Sequence, residues 1–279
     1  MDSVYRRQYR GPIKAVVMDW SGTTVDYGSC APAMAFVKLF GQHGVPISIA
    51  EAHGPMGMHK KDHLRALTRV EAVAQRWERV YGQKVTEADV EAMYADFQPL
   101  LLDILADYAT PIPGVLEAMS AFRQHGCKIG SCTAYTREIM DVLVPAARKL
   151  GYKPDSVVCV SDVPAGRPEP WMALYSAMEL RAYPMEAIVK VGDTLVDIAE
   201  GLNAGMWTVG VAKTGSGLGL NQAEVEALSD RELRGRLWPV YEQMYAAGAH
   251  YVVDAVSDVP PLLDEIKARL ARGEHPTGG

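Results

Sequence analysis

The sequence predicts an α/β protein, a doubly wound parallel sheet of Rossmann-like form carrying one inserted all-helical cap. Two observations predict this. Short apolar runs rich in β-branched residues recur along the chain with helix-spaced segments between them, the alternation that builds a parallel sheet covered on both faces. From about 30 to 108 the alternation stops and only helical patterns remain.

Taken in order, the first strand is read at 14–19 (KAVVMD), and the insertion at 30–108 is filled by helical patterns at 31–43, 59–80 and 87–107. The chain then returns through Pro111-Ile112-Pro113-Gly114, a stiff lead into a helix at 114–125. Strands follow at 127–132 (CKIGSC), 157–160 (VVCV), 188–192 (IVKVG) and 207–211 (WTVGV), separated by helices at 136–149, 170–180 and 194–204. Pro170 suits a first helical position, where its missing N–H costs nothing. Helices at 230–247 and 259–271 flank an edge strand at 250–253 (HYVV), and 272–279 (RGEHPTGG) reads as a disordered tail. The sheet domain thus comprises 1–29 and 109–271, and the cap 30–108. An insertion leaving after the first strand sits over the carboxyl ends of the strands, where open α/β sheets bind ligands. It reads as a lid.

Composition narrows the function. Of 279 residues, 48% are hydrophobic and 22% charged, enough apolar material for a sizeable core and too much for a disordered chain. The net charge of −6 argues against a nucleic-acid binder relying on a basic field. Nowhere do 18 or more apolar residues run together, and the arginines of MDSVYRRQYRGPI precede no apolar stretch, so neither a membrane span nor secretion is expected. Cys30, Cys127, Cys132 and Cys159 form no C-x-x-C pair, which suggests neither a zinc knuckle nor a disulfide framework and fits a cytoplasmic location.

The candidate chemistry begins at Asp19, which ends the first strand and opens the turn Asp19-Trp20-Ser21-Gly22-Thr23-Thr24-Val25-Asp26. Thr133 ends the second core strand, Arg167 lies in Gly166-Arg167-Pro168, and Val191-Gly192-Asp193-Thr194-Leu195-Val196-Asp197 closes another strand. Alone, Asp19 could be a helix cap, Thr133 another and Arg167 a surface residue. Together, and in this order, they resemble the four motifs of the haloacid dehalogenase superfamily. That resemblance implies a nucleophilic Asp19, with Thr133 and Arg167 holding phosphoryl oxygens. Two carboxylates beside one phosphoryl group repel it unless a cation intervenes, so Asp19 and Asp193 imply Mg²⁺, with the main-chain carbonyl at Ser21 as a further ligand. Asp197 stands behind them, supporting the metal site or serving the helix N-terminus.

Position 21 departs from the superfamily's phosphatases and mutases, which carry there an aspartic acid that protonates the departing alkoxide. Ser21 has no useful acidity, so an ordinary phosphate ester is a poor substrate. A carbon leaving group conjugated with an imine needs no such acid, and an imine needs a lysine. The segment Pro55-Met56-Gly57-Met58-His59-Lys60-Lys61-Asp62-His63 supplies two, which helix geometry cannot both aim at one site. This segment, with 133–138, 162–171 and 203–210, resembles the phosphonoacetaldehyde hydrolase family, whose members attach their aldehyde to a lysine as a Schiff base.

The resemblance implies that Lys60 is that lysine, that Met56, Gly57 and Tyr135 line the pocket, and that two copies pair through the cap. Lys60 then needs a lowered pKa, since an ordinary lysine is almost wholly protonated at pH 7. His63, three residues on, shares a helical face with Lys60 and could handle protons during imine formation; His59 and His63 lack a third ligand for zinc. Where this family commonly has Ala and Gly, the chain has Ser21 and Ala134. A phosphatase, a metal-free dehalogenase and a silent interaction module are the competing readings.

Overall fold

The computed structural model describes residues 9–56 and 58–276; Gly57 lies outside them. Its strands are β1 (Ala15–Met18), β2 (Lys128–Thr133), β3 (Ser156–Cys159), β4 (Ile188–Gly192), β5 (Trp207–Val211) and β6 (Tyr251–Val253). They form one six-stranded sheet in the order β3-β2-β1-β4-β5-β6, with every pairing parallel. Strands β1, β4 and β5 are buried throughout, which is why their sequences are nearly continuous apolar runs.

Alternation along β1 divides the core. Val16 and Met18 join Ile129, Val189 and Val191 beneath α6 (Val115–Gln124), α7 (Arg137–Lys149) and α12 (Pro260–Ala271). Ala15 and Val17 point the other way, to Met172, Ala173 and Leu180 of α8 (Trp171–Leu180). On that second side α9 (Leu195–Asn203) packs on β4 and β5. A satellite cluster joins Ile198 of α9 to Leu237, Val240 and Met244 of α11 (Asp230–Ala246).

The strand order reverses between β1 and β4, so a crevice opens at their carboxyl ends. Asp19 and Asp193 are the residues that leave those two strands. The fold class predicted from the sequence is the one observed.

Between β1 and α6 lie α1 (Cys30–Gln42), α2 (Ile49–His53), α3 (Lys60–Arg69), α4 (Glu71–Tyr81) and α5 (Glu87–Leu105), with no strand among the described residues of 30–108. They bury Phe36, Leu39, Phe40, Leu64, Leu67 and Phe97, which join the same hydrophobic cluster as Val16 and Met18 of β1, the Phe36 and Phe97 rings stacking at 4.3 Å. The two connections to the sheet domain are tied together: Val25 bridges Pro111, and Ile112 N–H donates to the Thr24 carbonyl at 2.9 Å.

Three details differ from the expectations. The helix expected at 59–80 is two helices, because Val70 takes an extended backbone (φ −62°, ψ 122°) that ends α3 and begins α4. Helix α2 was not expected, although Ser48 and Glu51 form a reciprocal capping box that the spacing Ser-x-x-Glu signals. The tail expected to be disordered from 272 is held as far as 276, since Glu274 pairs with Arg269 at 2.7 Å and the Pro276 carbonyl bonds His250 Nε2 at 2.7 Å. No helix among the described residues is long and apolar enough to cross a membrane.

Gly130 shows how closely α8 lies on the sheet: a Cβ there would meet Ser176 Oγ at 2.3 Å and Leu180 Cδ1 at 2.9 Å. Gly130→Ala is expected to destabilise the fold by about 1–3 kcal/mol, the cost of overpacking, seen as a lower urea midpoint with unchanged slope.

Candidate active site

The turn after β1 is wound around one carbonyl. The Trp20 oxygen accepts from the N–H groups of Thr23, Thr24 and Val25, and Thr24 Oγ1 donates to the Asp19 carbonyl at 2.9 Å. Gly22 sits at φ +80°, and a Cβ there would lie 2.7 Å from Asp193 Oδ2. Only glycine lets this turn reach the loop after β4.

Asp19 is buried, and its Oδ1 accepts from Arg167 Nη2 at 2.8 Å. Burial raises its pKa, with the Arg167 charge opposing. Among the described residues Asp193 receives neutral donors only: Thr23 Oγ1 at 3.2 Å, with Ser216 N–H and Oγ each at 2.8 Å. Burial first, and the Asp19 charge second, push Asp193 up to about 7. Behind them Asp197 is wholly enclosed, holding Lys190 Nζ at 2.6 Å, Arg167 Nη2 at 3.1 Å and the Thr194 hydroxyl at 2.6 Å. Burial works against its charge, but Arg167 and Lys190 outweigh it and hold Asp197 low. Asp197 also serves the N-terminus of α9 as the N3 residue of a capping box with Thr194, the second of the two roles expected for it.

Asp19, Asp193 and Asp197 each offer an oxygen within 4.8 Å of the others. The donor set suits a hard divalent cation. Asp197 is already neutralised by the chain's own cations, whereas Asp193 has no lysine or arginine in ion-pair contact among the described residues. Asp19 and Asp193 are therefore the pair whose mutual repulsion a metal would relieve.

On the opposite wall stands Lys60, the first residue of α3 and only 5% exposed. Its Nζ lies 3.8 Å from Met56 Sδ and 5.2 Å from the Tyr135 ring centroid, with no carboxylate in ion-pair contact among the described residues. Burial lowers its pKa to about 8, although Asp19, Asp193 and Asp26 pull the other way. Lys61, on the next position round the helix, faces outward to Glu91. Asp19, Ser21, Met56, Lys60, Thr133, Tyr135, Arg167 and Asp193 line one cavity of about 20 Å³. That is room for one water molecule and little else.

Three expected residues need comment. Ser21 turns its hydroxyl to Asp26 and, at 3.0 Å, to Ser29, so the side chain is occupied and only the main chain is left for a metal. His63 does not line the cavity: its ring packs 4.1 Å from Phe36 inside the cap and its Nε2 contacts the Ala52 carbonyl at 2.8 Å. Burial, then the Lys60 charge, holds it well below the usual histidine range. Gly57 falls outside the described residues.

The sequence reading missed Lys190, Glu200 and Ser216. Lys190 interrupts an apolar strand, IVKVG, and that was a signal, since a buried lysine needs carboxylate partners. Glu200 lies three residues after Asp197 on α9 and accepts from Arg167 Nε at 2.8 Å and Lys190 Nζ at 3.1 Å. Ser216 lies 23 residues beyond Asp193, and nothing local marks it.

A family model for haloacid dehalogenase-like hydrolases matches residues 13–205. A protein of Syntrophobacter fumaroxidans named phosphonoacetaldehyde hydrolase is 51% identical, the match covering 98% of this chain and 99% of that one. One of the same name from Bacillus cereus strain G9842 is 49% identical over 91% of this chain and 97% of its own. The crystal structure of a phosphonoacetaldehyde hydrolase like protein from Oleispira antarctica superposes with a TM-score of 0.95 at 40% identity, covering 98% of this chain and 99% of that one.

Because Glu200 is shared by two buried cations, Glu200→Ala is expected to cost about 3 kcal/mol of stability, the scale of stripping one partner from a buried ionic cluster, as read by chemical denaturation.

Proposed function

The chain belongs to the haloacid dehalogenase-like hydrolases and, within them, to the phosphonoacetaldehyde hydrolase family, and from that premise we propose that it cleaves the P–C bond of phosphonoacetaldehyde to acetaldehyde and phosphate. One observation carries the reading: a buried amine with a lowered pKa, Lys60, and a buried carboxylate, Asp19, line the same small cavity. Cleavage by way of an imine uses both, one to make carbon a leaving group and one to accept phosphorus.

Lys60 attacks the aldehyde carbon as the neutral amine. With a pKa near 8, roughly one Lys60 in ten is neutral at pH 7, against less than one in a thousand for an ordinary lysine. Loss of water leaves a protonated imine. Asp19 then attacks phosphorus, the P–C pair withdraws toward the iminium as an enamine, and the phosphoryl group passes to the carboxylate. Arg167, held by Asp197 and Glu200, presents its guanidinium to the phosphoryl oxygens with little reorganisation. Thr133, whose Oγ accepts the Tyr135 N–H at 3.1 Å, retains its own proton to donate. The enamine carbon takes up a proton, water releases acetaldehyde from Lys60, and a second water hydrolyses the aspartyl phosphate. Ser21, bonded to Asp26 rather than facing phosphorus as an acid, is consistent with a leaving group that needs no protonation.

Mg²⁺ held by Asp19, Asp193 and the Ser21 carbonyl would neutralise the charge between the carboxylates and the phosphoryl oxygens. Met56 and Tyr135 flank the imine carbon's place, and Gly57 belongs to the same pocket by resemblance. Pairing of two copies through the cap also follows the resemblance and is resolved by sedimentation velocity.

Borohydride added during turnover is expected to leave an ethyl group on Lys60, located by peptide mass spectrometry, with chelation of Mg²⁺ abolishing it and Lys60→Arg removing activity. Continued phosphate release from protein unmodified at Lys60 would overturn the imine route. In the free enzyme, protonation of Lys60 blocks attack, so kcat/KM should rise about tenfold per pH unit below the Lys60 pKa and level off above about pH 8. A profile flat from pH 6 to 9 would contradict this.

A further inference from the structure

The loop after β5, residues 213–221 (KTGSGLGLN), reaches three parts of the molecule at once. Toward the nucleophile turn, Thr214 Oγ1 donates to the Gly22 carbonyl at 2.8 Å. Toward the candidate metal site, the buried Ser216 directs both its donors, N–H and Oγ, to the single oxygen Asp193 Oδ2, each at 2.8 Å. Toward the cap, the Thr214 carbonyl accepts from Gly28 N–H at 2.7 Å in the linker that enters α1, and the His53 ring of α2 lies against Gly219, where a Cβ would come within 2.7 Å of Nδ1.

The loop is packed directly on the carboxylate. A Cβ at Gly215 would lie 2.5 Å from Asp193 Cβ and 2.8 Å from the Val211 carbonyl, so the backbone approaches as closely as only glycine allows. The donors are shared unequally between the two oxygens of Asp193. Oδ2 takes the two short bonds from Ser216, while Oδ1 takes, among the described residues, only one from Thr23 Oγ1 at 3.2 Å, long for a hydroxyl donor. Two donors on one oxygen fix the plane of the carboxylate, and the weakly held oxygen stays open to a cation. Partners that orient a ligand in this way contribute to metal affinity without touching the metal.

We propose that Ser216 is a positioning residue for the divalent cation, fixing Asp193 through Oδ2 so that Oδ1 is left for the ion, and that the seated cap braces its loop through His53. This rests on the cation reading of the site given above. Cation affinity then depends on where the cap sits, and by reciprocity a bound cation favours the seated cap. The metal half of the site is completed when Lys60, which the cap carries, is in place.

The test reads cation binding directly, without substrate. Full-length protein freed of metal with EDTA and dialysed is titrated with MnCl₂, a hard divalent probe that shares the oxygen preference of Mg²⁺, and free Mn²⁺ is followed by electron paramagnetic resonance. Ser216→Ala keeps the backbone N–H and loses the hydroxyl; it is expected to weaken Mn²⁺ binding about tenfold or more, the usual cost of removing such a partner. Ser216→Thr, which restores a hydroxyl, is expected to recover most of the loss. His53→Ala removes a ring that makes no hydrogen bond to Asp19, Ser21 or Asp193 among the described residues, and it is expected to weaken binding about fivefold or more, the lower end of coupling between sites. Circular dichroism and the urea midpoint of each metal-free variant establish that it is folded. Unchanged Mn²⁺ affinity in folded Ser216→Ala would overturn the positioning role, a lower urea midpoint alone marking the serine as structural. Unchanged affinity in folded His53→Ala would overturn the link to the cap. Wild-type protein that binds no Mn²⁺ would refute the cation reading itself, a result distinct from loss in a variant.

Discussion

Everything in the sheet domain is arranged around a cluster of buried charge at the carboxyl ends of β1 and β4. Asp19, Asp193, Asp197 and Glu200 are buried together, and among the described residues only Arg167 and Lys190 are interleaved with them as ion-pair partners. Ions taken out of water cost several kcal/mol each unless they are paired and hydrogen-bonded. The pairing is therefore unequal by design: Asp197 and Glu200 are satisfied from within the chain, and Asp193 is left with neutral donors beside Asp19. The residual negative charge is what a divalent cation and a charged phosphoryl group would meet.

That cluster also explains the placement of Lys60. An amine buried at the N-terminus of α3 loses hydration, and nothing in ion-pair contact restores the charged form fully. The Asp19, Asp193 and Asp26 charges stop the shift near 8, where the lysine remains reactive and can still be reprotonated. The cap thus tunes the amine, and the sheet domain limits how far the tuning goes. The pairing of Val25 with Pro111 keeps the two parts in register, because it ties the cap's return to the nucleophile turn itself.

Closure has a geometric consequence. At about 20 Å³ the catalytic cavity as it stands is too small for a phosphonate, so substrate entry requires rearrangement of the residues around it.

The strand runs and the helical interruption at 30–108 were legible in the sequence because burial on both faces of a parallel sheet demands continuous apolar runs, whereas Asp19, Thr133, Arg167 and Asp193 were singled out together only by their resemblance to the superfamily's motifs. The split at Val70, the five-residue helix α2 and the ordered segment to 276 were not read correctly, since each depends on a local backbone turn or a distant partner such as His250. The family motif singled out Lys60 over Lys61, and burial under the cap set its protonation; the spacing of His63 suggested the cavity, but packing against Phe36 took its ring elsewhere. Helical spacing specifies which residues share a face. Only tertiary packing decides what that face meets, and so which charges Lys190 and Glu200 neutralise, where Ser216 donates its hydrogen bonds and how much water Lys60 keeps.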